Sequence, residues 1–229
     1  MLAAAEVQDV VVLGETHHDA VAHQLQEIVF ARLAARRDAA LSLEMFEADV
    51  QHVLDEYMAG LTREEDMLRD GRPWANYREA YRSLVELARA AALPVIAANA
   101  PRRYVSAVGR DGHDALSSSR AWGPQAYAAL PPLPLPPPSE GYVARLMADP
   151  EVVPRTMSKG AEESDRPVGR CPYIGLNRRD GLMAPMLLWD AAMAHAIATA
   201  LSAAPTRPEV PPQRPGLAGW SRAREWGGG

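Results

Sequence analysis

A single cysteine, Cys171, stands among the 229 residues, which excludes an internal disulfide framework and any metal site built from several thiolates. Lysine is as scarce: of the 24 basic residues one is Lys and the rest are Arg, a coding bias that leaves arginine counts without meaning as anion sites. The net charge of −5 and a pI near 5.7 deny the chain the clustered basic surface that nucleic-acid binding uses, so no nucleic-acid partner is expected. No apolar run reads as long as the roughly 20 residues of a membrane span, so no transmembrane segment is expected. The opening MLAAAEVQDV lacks the basic and apolar regions of a signal peptide. The compartment is left open: cytoplasmic as the chain stands, cell envelope if the true start lies upstream. There is no HExxH, P-loop or GxGxxG pattern, and no G-x-S-x-G elbow, so a serine hydrolase has no support.

What is present is concentrated in Val10–His23, VVVLGETHHDAVAH. The apolar run Val10–Leu13 stops at Gly14, and five of the next nine residues can bind a metal or move a proton: Glu15, His17, His18, Asp19 and His23. A β-branched run that ends in Gly and leads into a helical pattern reads as a buried parallel strand. The carboxyl end of such a strand is where open α/β sheets bind ligands.

The same unit repeats. Asp19 to about Arg37 reads as a helix with Val21, Leu25, Ile28, Val29 and Leu33 on its buried face and Asp19 as N-cap. Ala39–Met45 reads as the second strand. Helices follow over Ala48–Ala59, over Arg63–Asp70 behind a Thr62 capping box, and over Tyr77–Ala92. Pro94–Ala98 reads as a third strand and Pro101 to about Val108 as a helix. Such alternation predicts a single α/β domain over 8–203, a mainly parallel sheet flanked by helices. His113–Ser139 holds a proline run suited to an extended surface segment. Gly141–Ala148 and Leu182–Ala203 read as helices, with a lid-like loop over Asp149–Asp180 between them. Residues 204–229 read as a disordered Pro/Gly/Arg-rich tail, with C-terminal strands of the sheet missing.

Parallel strands bring their carboxyl ends to one edge, so Glu15, His17, Glu44 and Asn99 should converge. A strand-end carboxylate costs on the order of several kcal/mol unless it is paired, protonated or bound to metal. Glu15, His17, His18 and Glu44 are therefore the candidate metal set, and mixed His and carboxylate ligands suit Zn, Mn or Fe. Each has a plainer alternative: Asp19 as a cap only, His23 as a surface histidine, Glu44 paired to an arginine. Asp190 falls within the apolar stripe Met186, Met193, Ala194, Ile197 and Leu201, so a site histidine or an arginine is its expected partner.

Five segments, LGETHHDAVAHQLQ, LSLEMFEADVQHVLDEYMAG, Trp74–Tyr81, LPVIAANAPRRYV and LLWDAAMAHAI, occur in the order seen in ChaN-like proteins. The chain thus resembles the haem-binding uptake branch of the Tiki superfamily over about Val10 to Leu201. The resemblance implies an α/β fold and a non-catalytic protein of bacterial iron uptake that binds haem or haem iron, with a homodimer interface as one place for it. It puts motif residues at Gly14, Glu15, His17, His23, Glu44, Gln51 and Asp190, while His18 departs from the pattern. Tyr104, with Tyr81 and Tyr142 behind it, is the candidate axial ligand by position, since a tyrosinate suits ferric iron. Met45, Phe46, Trp74 and the proline run are candidate apolar walls. Related branches look like hydrolases, so the alternative is a metal-dependent or acid/base enzyme with Glu15, His17 and Glu44 as catalytic groups.

Overall fold

The computed structural model describes residues 2–36, 38–116, 122–148 and 179–203. The loop expected over Asp149–Asp180 lies mostly outside these residues, as do Cys171 and the tail 204–229. The elements run α1 (Leu2–Ala5), α2 (Ala20–Ala34), β1 (Leu41–Glu47), a 3₁₀ turn (Ala48–Val50), α3 (Gln51–Met58), α4 (Glu64–Gly71), α5 (Tyr77–Ala80), α6 (Arg82–Ala90) and β2 (Val95–Asn99). Then come α7 (Arg102–Asp111), a 3₁₀ turn (His113–Leu116), α8 (Pro124–Ala128), α9 (Glu140–Ala148) and α10 (Arg179–Ala203).

Among the described residues β1 and β2 form a two-stranded parallel sheet, which the helices flank in an α/β arrangement. The pairing is regular from Leu41 opposite Val95 to Leu43 opposite Ala97, and resumes with Glu47 opposite Asn99. Between those points β1 advances four residues (43 to 47) while β2 advances two (97 to 99), so Glu44–Phe46 bulge from the ladder. A bulge re-aims side chains that a regular strand would alternate. Met45 and Phe46 accordingly are both buried, and Glu44 stays half-buried. The outer edge of β2 is closed by a side chain. Gln51 Nε2 donates to Val95 O at 2.9 Å and Gln51 Oε1 accepts from Ala97 N at 2.7 Å.

The Val10–Leu13 run differs from expectation. It joins no strand ladder, and its four residues are between 37 % and 79 % exposed. The α2 face changes with it. α2 packs against α6 and buries Val29, Phe30 and Ala34, while Val21, Leu25 and Ile28 are exposed because no strand lies beneath them. Asp19 does cap α2, its Oδ1 accepting from Val21 N at 2.8 Å. At α4 the cap falls one residue past Thr62: Arg63 is the N-cap, and Asp66 accepts from its backbone N–H at 3.4 Å. The helix expected over Tyr77–Ala92 is broken at Tyr81, which ends α5 and starts α6 with φ −123°.

Two apolar clusters hold the chain. One joins Phe30 of α2, Phe46, Leu54, Met67, Tyr77, Tyr81, Leu87 and Ala97. Side chains of this size contribute roughly 1.5–3 kcal/mol each when fully buried. The other joins Tyr104, Val105 and Val108 of α7 to Ala184, Leu188, Trp189 and Ala192 of α10. The small residues at 184 and 192, four either side of Leu188, let α10 approach α7 closely. That shifts the buried face of α10 away from the expected stripe: Asp190 is exposed, and so is Leu201. Met183–Ala203 is, by length and composition, long and apolar enough to cross a membrane, contrary to the reading that no run reaches that length. Its first half packs on α7 and β2, while residues 193–203 are half-buried or exposed.

Candidate functional site

Glu15 is the centre of the polar cluster, and its side chain is 10 % exposed. It sits on an irregular stretch, so its direction is set by what it touches. Its Oε1 accepts a hydrogen bond from the Tyr81 hydroxyl and faces His17 Nδ1 at 3.4 Å. Its Oε2 accepts from Gln26 Nε2 at 2.7 Å and lies 3.1 Å from His23 Nε2, close enough for an ion pair but not aligned as a hydrogen bond. The groups arrive from three places: His17 from the same loop, His23 and Gln26 from α2, and Tyr81 from the break between α5 and α6. Burial pushes the Glu15 carboxyl up, but hydrogen bonds from His17, Tyr81 and Gln26, with His23 nearby, outweigh it and hold the group below the ordinary value.

The His17 ring is held from the other side as well. Trp74 meets it edge to face at 4.6 Å, and Asn76 Nδ2 donates to the His17 carbonyl at 3.0 Å. The side chain is one-third exposed, at 34 % against 12 % for His23. A carboxylate facing Nδ1 favours the tautomer with its proton there, the arrangement in which a histidine ligates through Nε2.

Glu44 belongs to the same electrostatic site. Burial is the main cause that raises its carboxyl above the ordinary value; His17 draws it down, while Glu15 and Asp190 push it up. Among the described residues no arginine acts on Glu44. The arginine pairing occurs three residues on. Buried Glu47 pairs with Arg72 at 3.1 Å and with Arg102, and Asp49 takes Arg72 at 2.9 Å and Arg103. Among the described residues Asp190 is partnered by neither a histidine nor an arginine; its Oδ2 accepts from the Tyr142 hydroxyl at 2.6 Å, which ties α9 to α10.

Three expected participants stand apart from this cluster. His18 is exposed. Among the described residues no group of three or more His, Cys, Asp or Glu is placed to hold a metal ion, so the set Glu15, His17, His18 and Glu44 does not assemble as one. Tyr104 is 4 % exposed in the second apolar cluster, with the Arg103 guanidinium 4.4 Å above its ring and donating to its hydroxyl at 3.1 Å. Asn99 is buried at the end of β2, where its Oδ1 accepts from Ala100 N at 2.9 Å. Of the expected walls, Met45 and Phe46 are core residues, and Trp74 is at the site. A cleft of about 730 Å³ opens behind His23 between α2 and α5–α6, but Glu27, Arg78, Arg82, Glu86 and Arg89 give it charged walls.

Gln26 and Asn76 were not legible as site residues, since an amide 11 or 61 positions from Glu15 carries no spacing signal. Neither a curated protein nor a solved structure matches the chain. A family model described as "Haem-binding uptake, Tiki superfamily, ChaN" matches residues 1–210, and with that span the chain belongs to this family of haem-binding uptake proteins.

Proposed function

We propose that the chain binds haem as the cargo of a non-catalytic step in bacterial iron uptake, with His17 meeting the iron and Glu15 setting His17. The carrying observation is the Glu15–His17 pair: a one-third-exposed imidazole whose Nδ1 is backed by a carboxylate held ionised. That donor set fits haem iron, since a carboxylate behind Nδ1 fixes the tautomer and raises the basicity of Nε2. When bound, haem supplies an iron with an axial position for a protein nitrogen or oxygen. His17 would fill that position, and the edge of Trp74 beside it would meet the porphyrin as an apolar surface. Tyr104 would first have to give up its contact with Arg103 and leave the second cluster. His23, behind Glu15, supports the carboxylate from its other oxygen.

The test is a ferric haem titration of the full chain followed by Soret absorbance. Saturation near about one haem per chain, weakened tens-fold by His17→Ala and little by Tyr104→Phe, is expected. A non-saturating response, or loss with Tyr104→Phe and none with His17→Ala, overturns this assignment.

One observation favours the acid/base alternative. Glu15 and Glu44 are pushed in opposite directions by their surroundings, and two carboxyls split in this way can serve as base and acid. In that reading Glu15 and His17 take up a proton and Glu44 delivers one. Ester or peptide turnover lost in Glu44→Gln and Glu15→Gln alike would establish it.

A further inference from the structure

Residues 10–18 form neither strand nor helix, so the backbone alone does not fix the direction of Glu15. A glutamate side chain left to itself retains rotamer freedom and points in no one direction. Here both oxygens are engaged from outside the loop. Tyr81 reaches Oε1 from the α5–α6 break, and Gln26 reaches Oε2 from α2, 11 residues after Glu15. The Tyr81 ring is 1 % exposed and wedged edge-on between His23 at 5.1 Å and Trp74 at 6.3 Å, so its hydroxyl has little room to move. Asn76 fixes the His17 carbonyl from the turn before α5. The break in the helix at Tyr81 thus serves the loop: it delivers a phenol to the same oxygen that His17 faces.

We propose that Tyr81 and Gln26 are positioning residues for His17: by clamping the two oxygens of Glu15 they aim Oε1 at His17 Nδ1, and the ring thereby presents Nε2 to a ligand. Only the identity of that ligand rests on the haem reading; the clamp acts in the ligand-free chain. Neither residue needs to touch the ligand. Tyr81 acts as a donor only. Burial and the hydrogen bond to Glu15 keep its phenol neutral far above the ordinary range, so it does not compete with the carboxylate for His17. Tyr81→Phe retains the ring that packs on His23 and Trp74 and removes one oxygen. Gln26 is only half-buried, so Gln26→Met preserves the fold while removing the hydrogen bond to Oε2, where His23 Nε2 stays 3.1 Å away.

The experiment reads the His17 ring nitrogens by ¹⁵N NMR in the full-length, ligand-free chain, then titrates the same variants with ferric haem. The expected wild-type form carries its proton on Nδ1. In Tyr81→Phe the population shifts toward the Nε2–H form, and Gln26→Met shifts it less in the same direction. Haem affinity should fall on the order of tenfold in Tyr81→Phe, the usual effect of losing a partner behind a ligand. The double variant Tyr81→Phe with His17→Ala should bind no more weakly than His17→Ala alone, because the hydroxyl acts through His17. A merely structural role would leave the tautomer unchanged and make the two losses add, and either result overturns the proposal. If His17→Ala leaves haem affinity intact while Tyr81→Phe still shifts the tautomer, the clamp stands and the haem assignment of His17 falls.

Discussion

Gln51 stands to Ala97 as a neighbouring strand would: its carboxamide oxygen accepts the Ala97 N–H, and its nitrogen donates to Val95 O two residues back. Gln51→Leu would leave both backbone groups unpaired at a half-buried edge. A loss of about 1–3 kcal/mol is expected, read as a lower urea midpoint with unchanged slope. Gln51→Glu should lose less in acid than at neutral pH, because only the protonated carboxyl can donate to Val95 O. Equal stability of wild type and Gln51→Leu would show that the amide does not close the edge.

The two site carboxylates should affect stability with opposite signs. Glu15 has a lowered pKa, so its contribution is fully present above the unfolded value and is lost as pH falls through the folded one. Glu15→Gln should therefore destabilise at neutral pH and approach wild type in acid. Glu44 has a raised pKa, so its contribution is fully present below the unfolded value and is lost as pH rises through the folded one. Glu44→Gln should raise the thermal midpoint at neutral pH and leave it unchanged well below the ordinary carboxylate range. Thermal midpoints of the two variants across the acid range check this, and parallel curves would contradict it.

Four of the seven tyrosines should ionise late. Tyr57 is pushed up to about 12, by burial first and by its hydrogen bond to Glu86 next. Burial also raises Tyr77, Tyr81 and Tyr142, with Glu15 adding to Tyr81 and Asp190 to Tyr142. An alkaline titration followed by tyrosinate absorbance should show a delayed group that Tyr142→Phe reduces by one. All seven ionising together near the ordinary phenol value would rule out these contacts.

Arg72 joins the two acids beyond the bulge, Glu47 and Asp49, and adopts a left-handed conformation with φ 49° at the end of α4. Arg72→Gly would relieve the backbone and remove both pairs. Glu47 is buried, and Arg102 alone would then face it. Net destabilisation is expected for Arg72→Ala, while Arg72→Gly should be milder by several tenths of a kcal/mol or more. The order of the two midpoints in denaturant is the measurement, and the reverse order would mean that strain at Arg72 is negligible.

Much of this was legible because it is local. Asp19 as a cap, the two paired strands and the helices between them follow from short-range patterns, and Glu15, His17 and His23 stand in one motif. The distant partners were not legible. Tyr81 is 66 residues from Glu15, and periodicity places it in a helix whose break there is set by packing. Strand alternation does not place Glu44, because the bulge overrides it, and the arginine pairing that is its plainer alternative belongs to Glu47. The exposed stripe on α2 has the same origin as the exposure of Val10–Leu13: each needs the other in the sheet to be buried. Asp190 drew attention as a charge inside an apolar stripe, but small residues one face over took the packing instead.

The chain passes from one apolar cluster to the other at Asn99 and Ala100, where a single buried amide side chain holds the turn. The clusters also touch where α10 packs on β2, yet each keeps an apolar interior of its own and can open separately. Backbone amides of α7 and α10 should exchange with solvent as a group with a common opening free energy, separate from those of α3, α6 and β2. Glu15 and its clamp pack with the first cluster and Asp190 lies on α10, so Glu44, whose carboxyl both acids push up, feels charge from both groups at once.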